Sequence, residues 1–154
     1  MPSDLALLAR ITLGFALGFL LGFERELRGS PAGDRTFSLV GASTAAITAV
    51  ALRTSPQAVA GAITGIGFIG AGVIFRGQGE LIRGITSAAA LYATAAIGLV
   101  VGSGHLALGA VTAVLSVVSL ELRYLPGLDL LDARRYAHRF RSESDAPHPH
   151  RPHE

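Results

Sequence analysis

The chain has no cysteine and no tryptophan, and since lysine is also absent all 13 of its basic residues are arginine. The missing cysteine excludes a disulfide framework, a thiolate metal site and a cysteine nucleophile. The missing lysine excludes Schiff-base chemistry and the phosphate-binding lysine of P-loops. Charge of either sign is scarce: 16% of the 154 residues are charged, against about 25% in an average soluble domain. What is present is apolar and small. Half of the residues are hydrophobic and 19 are glycine, and the mean hydropathy is +0.49. The length suits one compact unit.

The spacing of the charges is more informative than their number. Between Arg35 and Arg53 lie 17 uncharged positions, between Arg53 and Arg76 lie 22, and between Arg83 and Glu121 lie 37. A transmembrane helix needs about 20 mainly apolar residues to cross a hydrocarbon core of about 30 Å. The longest gap therefore fits two spans, divided at Gly102, Ser103, Gly104 and His105. A further span starts at Leu5 and ends at Phe23, interrupted only by Arg10. Buried helices of a soluble protein rarely lack charge for so long. The expectation is an all-α membrane protein: a transmembrane domain over residues 1–124 with about five helices, at 5–23, 36–52, 57–75, 84–101 and 106–122.

Short cytoplasmic loops carry an excess of arginine. Placing residues 24–36, 76–83 and 123 onward in the cytoplasm puts Arg25, Arg28, Arg35, Arg76, Arg83, Arg123, Arg134, Arg135, Arg139, Arg141 and Arg151 inside, and leaves Arg53 in an outer loop. The amino terminus is then outside and the carboxyl terminus cytoplasmic. The segment before the first span has no basic residue and no small-residue cleavage signature, so this span is expected to remain as a helix.

Helices in lipid gain little from hydrophobic attraction to each other, so small residues that admit close backbone approach do much of the packing. Gly14, Gly18 and Gly22 recur on one stripe of the first helix, with Arg10 a further step along it. The third span offers Gly61, Gly65, Gly67, Gly70 and Gly72. A faint repeat links Glu26, Leu27, Arg28 and Gly29 to Glu80, Leu81, Ile82, Arg83 and Gly84. Each is followed by a helix start rich in hydroxyls, Thr36 and Ser38 in one case, Thr86 and Ser87 in the other. Two hairpins related by an axis along the membrane normal would produce this pattern.

Ionisable residues at the edges of spans are candidates for function because burying them is costly. Glu24, Arg25, Arg35, Thr36, Arg76, Arg83 and Thr86 all fall at cytoplasmic helix ends, where a compact bundle would gather them into one polar cluster. Its arginine excess suits an anion or an acidic partner surface, with Glu24 as a structural counterion or a proton-linked carboxylate. Simple interfacial anchoring competes with this reading and accounts well for Arg25, Arg28 and Arg123. An enzyme is the weakest hypothesis: no span holds a histidine or a carboxylate pair, and no base is placed to activate a hydroxyl. No catalytic residue, metal site, cofactor or nucleic-acid partner is expected. Direct Mg2+ coordination is disfavoured because that ion prefers oxygen ligands including carboxylates, and no acid lies within a span.

Residues 125–154 form an arginine-, proline- and histidine-rich tail. Leu125, Leu128, Leu131 and Tyr136 alternate with Arg134, Arg135, Arg139 and Arg141, which fits either an amphipathic segment on the anionic inner leaflet or a solvated flank. From Ser142 onward the composition is that of a disordered tail. His148, His150 and His153 are read as solvated rather than as a metal site, for want of a fixed second shell.

The motifs with most information are Gly22-Phe23-Glu24-Arg25-Glu26, Ala32-Gly33-Asp34-Arg35-Thr36, Leu39-Val40-Gly41, Thr64-Gly65-Ile66-Gly67-Phe68-Ile69-Gly70-Ala71-Gly72 with Arg76, and Arg83-Gly84-Ile85-Thr86-Ser87-Ala88-Ala89. In order and spacing this set resembles the MgtC/SapB family of bacterial inner-membrane proteins, over residues 5 to about 122. The resemblance implies a non-enzymatic, multi-pass protein of the inner membrane, linked to growth in low magnesium, to intracellular survival of pathogens and to restraint of the ATP synthase through its membrane sector. It also carries the alternative of a small transporter or channel for Mg2+ or another ion. The lipid bilayer and the ATP synthase membrane sector are thus the expected partners, and a homodimer stays open. Phe37 stands where the family usually has histidine, Gly61 where it has glutamine, and Tyr92 where tryptophan is common. The C-terminal ACT-like domain of many members has no room in the last 32 residues.

Overall fold

The computed structural model describes residues 3–76 and 82–122. They form five helices, α1 (Asp4–Leu27), α2 (Asp34–Ala51), α3 (Pro56–Val73), α4 (Ile85–Gly102) and α5 (Leu106–Glu121). Between α3 and α4 sits one antiparallel pair of two-residue strands, β1 (Phe75–Arg76) and β2 (Ile82–Arg83). The chain up to Ser119 is one compact unit; from Leu120 it belongs to a second, described only to Leu122. The expected tail, residues 125–154, lies outside the described residues, as do Glu80 and Leu81 of the repeat.

Each of the five expected spans is a helix, with ends displaced by a few residues. α1 runs a full turn past Phe23, because Glu24, Arg25 and Glu26 continue the helix beyond the apolar stretch. Ser3 starts it by accepting from the Ala6 amide at 3.3 Å, a side-chain N-cap. Pro56 opens α3, where its missing donor costs nothing. Three of these helices, α1, α3 and α4, are long and apolar enough to cross a membrane. The other two fall short of that measure for different reasons. α5 has only 16 residues. α2 has 18, but it carries Asp34, Arg35, Ser38, Ser43, Thr44 and Thr48, and most of these hydroxyls are buried rather than lipid-facing.

The burial pattern is inverted relative to a soluble bundle. Large apolar side chains point outward, among them Leu5, Leu8, Phe15, Leu39, Leu115 and Phe68, the last 83% exposed. The interior of α1, α2 and α4 is mostly glycine, alanine, serine and threonine, closed by Leu21, Phe37, Leu91, Ile97 and Val101. Water would penalise that exterior, whereas hydrocarbon does not. Two of the interior hydroxyls are satisfied within their own helices: Thr44 Oγ1 donates to the Val40 carbonyl at 2.8 Å and Thr94 Oγ1 to the Ala90 carbonyl at 2.9 Å. A half-buried threonine of α5 behaves likewise, Thr112 Oγ1 donating to the Leu108 carbonyl at 2.8 Å.

α1, α2 and α4 form the tight centre. A Cβ built on Gly14 would lie 2.7 Å from the Gly41 carbonyl oxygen, and one on Gly22 would lie 2.6 Å from Asp34 Cα. At Gly18 it would overlap the Phe37 carbonyl oxygen. The stripe thus lies against α2 with backbone touching backbone. α4 meets the opposite side of α2 the same way: a Cβ on Gly98 would be 2.6 Å from the Gly41 oxygen and one on Gly102 2.5 Å from that of Ala45. α3 is attached more loosely. Only its Ile66 and Gly70 are buried, and Gly70 stands 3.7 Å from Ala88 Cβ. α5 buries Gly109 and Ala113, with Gly109 pressed on Val101.

Candidate functional site

Both connections that the sequence places on the cytoplasmic side lie at the same end of the bundle. α1 closes in a Schellman turn, with Ser30 N donating to the Arg25 carbonyl at 3.0 Å and Gly29 N to that of Glu26 at 2.9 Å. Gly29 supplies the left-handed residue this turn demands, φ +67. The turn directs Ser30 toward α4, where its hydroxyl lies 2.7 Å from that of Ser87. Glu26 reaches across the same turn, and its Oε2 accepts from the Asp34 amide at 3.1 Å. That bond stands in for the side-chain cap which Gly33, at the start of α2, cannot provide.

Glu24 is the buried charge of this end. It is 8% exposed, with Arg25 Nη1 and Arg28 Nε each 3.6 Å from a carboxylate oxygen. Neither oxygen has a hydrogen bond among the described residues, and neither does the buried Arg25 Nε. The three side chains thus form a compact ion cluster in which the Glu24 oxygens and Arg25 Nε keep spare hydrogen-bonding capacity. Burying charge is costly unless every group is paired, so this capacity marks the cluster as the place to look for a ligand or a contact.

The other members of the expected cluster differ in exposure. Arg35 is exposed and Thr36 half-buried at the start of α2; Arg83 and Thr86 are exposed at the start of α4. None of these four has a hydrogen bond or ion pair from its side chain among the described residues. Arg76 lies in β1, opposite Ile82, and its side chain is outside the described residues. Glu24, Arg25 and Arg28 are therefore drawn together, while Arg35, Thr36, Arg83 and Thr86 stand at or just before the first turns of α2 and α4 without a side-chain hydrogen bond or ion pair to them among the described residues. Gly84 opens α4 with φ +89 and packs against the Val73 carbonyl. Both glycines of the faint repeat are thus left-handed, although one closes a helix and the other opens one.

Two contributors escaped the sequence reading. Glu26 was visible as an acid eight residues before Asp34, but only the turn geometry makes it a cap for the next helix. Arg10 was visible as the lone charge in the first span; its Nη1 donates to the Gly102 carbonyl at 3.0 Å, tying α1 to the far end of α4. The packing glycines divide into two groups. Gly14, Gly18 and Gly22 abut α2, whereas a Cβ on Gly65, Gly67 or Gly72 would meet nothing within 4 Å, and Gly70 makes only an ordinary contact.

A helical bundle with small residues at its closest contacts, an apolar exterior and charges gathered at helix ends defines a membrane protein. The chain belongs to the MgtC family, whose model matches residues 11–125. It is 44% identical over 123 residues to Protein MgtC of Brucella abortus, an alignment covering 77% of this chain and 51% of that protein. It is 38% identical over 116 residues to the putative magnesium transporter YhiD of Escherichia coli, covering 66% of this chain and 53% of that one. An uncharacterised protein of Haemophilus influenzae is 32% identical over 152 residues, covering 90% of this chain and 61% of its own length. The chain thus spans about half the length of the curated relatives it matches. No solved structure matches it.

Proposed function

We propose that the chain is a non-enzymatic, multi-pass protein of the bacterial inner membrane that acts by contact with another membrane protein during adaptation to low magnesium. The leading partner is the ATP synthase membrane sector. The observation that carries this reading is the bare face of α3. Gly61, Gly65, Gly67 and Gly72 have nothing near them, and Phe68 and Ile69 beside them are exposed. In α1 and α4 the same residue type admits a neighbouring helix to backbone contact; on α3 that capacity is unused within one chain. A partner helix, or a second copy of this chain, would find there a surface of the kind already packed elsewhere in the molecule.

In this reading all five helices cross the bilayer, with the amino terminus outside and the Glu24 end cytoplasmic. α2 crosses because α1 and α4 cover its hydroxyls, and α5 because its 16 residues, about 24 Å of helix, are within reach of a tilted or locally thinned bilayer. The alternating loop ends support an up-and-down path, and the arginine excess at the Glu24 end supports the orientation. Since the chain lacks cysteine, Pro31→Cys and Thr54→Cys, both exposed, report the topology. A membrane-impermeant thiol reagent should label Thr54→Cys in intact cells and leave Pro31→Cys unlabelled; the reverse would invert the orientation.

A second reading, a small transporter, is favoured by the buried Glu24 carboxylate without hydrogen bonds and by the name of the Escherichia coli relative. Purified protein in liposomes separates the two. The contact reading expects negligible Mg2+, proton and phosphate flux, together with co-purification of the synthase membrane sector that Gly65→Leu abolishes. Flux lost in Glu24→Gln would replace it with transport.

A further inference from the structure

At the end of the bundle opposite Glu24, the first turns of α1 and the last turns of α2 and α4 enclose a cavity of about 410 Å³. Its walls include Asp4, Leu7 and Arg10 from α1, Thr48 and Val50 from α2, and Arg53 from the following loop.

Two side chains there are prepared for a ligand. Thr48 is 2% exposed, and its hydroxyl has no hydrogen-bond partner among the described residues, unlike those of Thr44 and Thr94, which bond their own helices. Thr48 lines the cavity with its hydroxyl oxygen covered, so a turn of the side chain about χ1 is what would bring that hydroxyl to a ligand in the cavity. Arg10 is fixed by the bond from Nη1 to the Gly102 carbonyl, and its Nη2 is so close to Gly104 that a Cβ there would lie only 3.0 Å away. The remaining guanidinium donors of Arg10 have no partner among the described residues. Arg53 is exposed in the adjoining loop and makes no hydrogen bond or ion pair among the described residues.

We propose that this cavity binds a phosphoryl group. The two guanidinium groups offer planar donor forks that match phosphate oxygens, and the Thr48 hydroxyl, once turned into the cavity, donates to a further oxygen. Asp4 sets the net charge of the lining at +1, two arginines against one aspartate. That balance suits the single charge of a phosphodiester better than a dianionic phosphate. The site lies at a water-facing end of the helices with Leu7 and Val50 in its walls. A phospholipid headgroup therefore fits as the source, its glycerol side against the apolar residues. Free inorganic phosphate offers the same oxygens and is the second arm of the test.

The protein, purified in detergent, is titrated with phosphatidylglycerol or with inorganic phosphate while its thermal unfolding is followed. Arg53→Gln tests the site without disturbing the fold, since Arg53 is exposed; Thr48→Val removes the unpartnered hydroxyl while conserving shape. Leu20→Ala, exposed on α1 and outside the cavity, is the control. A ligand-dependent rise in melting temperature is expected in the wild type and in Leu20→Ala, with apparent affinity weakened about tenfold in Arg53→Gln and reduced in Thr48→Val. A response to phosphatidylglycerol alone identifies the headgroup as the source, and a response to phosphate alone identifies a free anion; either one, lost in these variants, supports the site. Equal responses in wild type, Arg53→Gln and Thr48→Val, or no response to either ligand, overturn it.

Discussion

α1 and α3 are both glycine-rich helices, and they use glycine in opposite ways. In α1 the stripe of Gly14, Gly18 and Gly22 is buried, and each position faces backbone or Cβ atoms of α2. In α3 four of the five glycines face open space, and only Gly70 approaches a neighbour. The difference teaches that a glycine stripe specifies a surface that can be approached closely, not that it has been. Whether the approach happens within the chain depends on a second helix with matching small residues. Gly41, Ala45 and Ser38 on α2 supply that match for α1, and Gly98 and Gly102 let α4 close on the other side of α2.

The comparison breaks most visibly at Gly18. Its missing Cβ would overlap the backbone of Phe37, which cannot rotate away as a side chain would. Gly18→Leu should cost at least about 3 kcal/mol, seen as lost yield and early melting in detergent. Leu20→Ala, half-exposed on another side of the same helix, should stay within about 0.5 kcal/mol. Similar behaviour of the two would mean that α1 is not held to α2 by its stripe.

Next comes the contact between α2 and α4. Gly98→Ala would place a methyl against Thr44 Oγ1 and the Gly41 carbonyl, and an expected loss of about 1–3 kcal/mol should appear in the same melting measurement. An unchanged melting temperature would show that α4 can slide away from α2 without penalty.

On α3 the sign reverses. Gly65→Ala has open space around its Cβ and removes a glycine from a helix interior, so it should stabilise the isolated protein by about 0.5–1 kcal/mol. Destabilisation in detergent would mean that the α3 face is already occupied, by a second copy of the chain. The smallest effect is expected at the exposed arginines at the starts of α2 and α4. Arg35→Ala and Arg83→Ala remove exposed side chains and should leave melting within about 0.5 kcal/mol, so that any phenotype they produce in cells reports on function and not on folding.

The helices were legible in the sequence because lipid imposes a simple rule: long uncharged gaps must be helices, and arginines must cluster between them. The stripe on α1 was legible from its spacing. The equally glycine-rich face of α3 offered no signal that it would be left bare. Glu24 could be placed at a helix end from the chain alone, and its charge partner Arg28 one turn on. Its nearly complete burial could not, because that depends on how the neighbouring elements pack at this end. Phe37 shows the same limit. Its position after Arg35 and Thr36 gave no reason to expect a fully buried side chain, which follows from the closeness of α1 along Gly18 and Gly22.

By itself the sequence determined the number and approximate limits of the helices, the small-residue character of their contacts and the gathering of charge at their ends, since these follow from local composition and the period of one helix. Only the tertiary structure decided which glycine face is used, that Glu26 caps the start of α2, and that Arg10, Thr48 and Arg53, far apart along the chain, line one cavity. Those outcomes depend on how three helices pack at once, and neither the residue types nor their spacing encodes that closure.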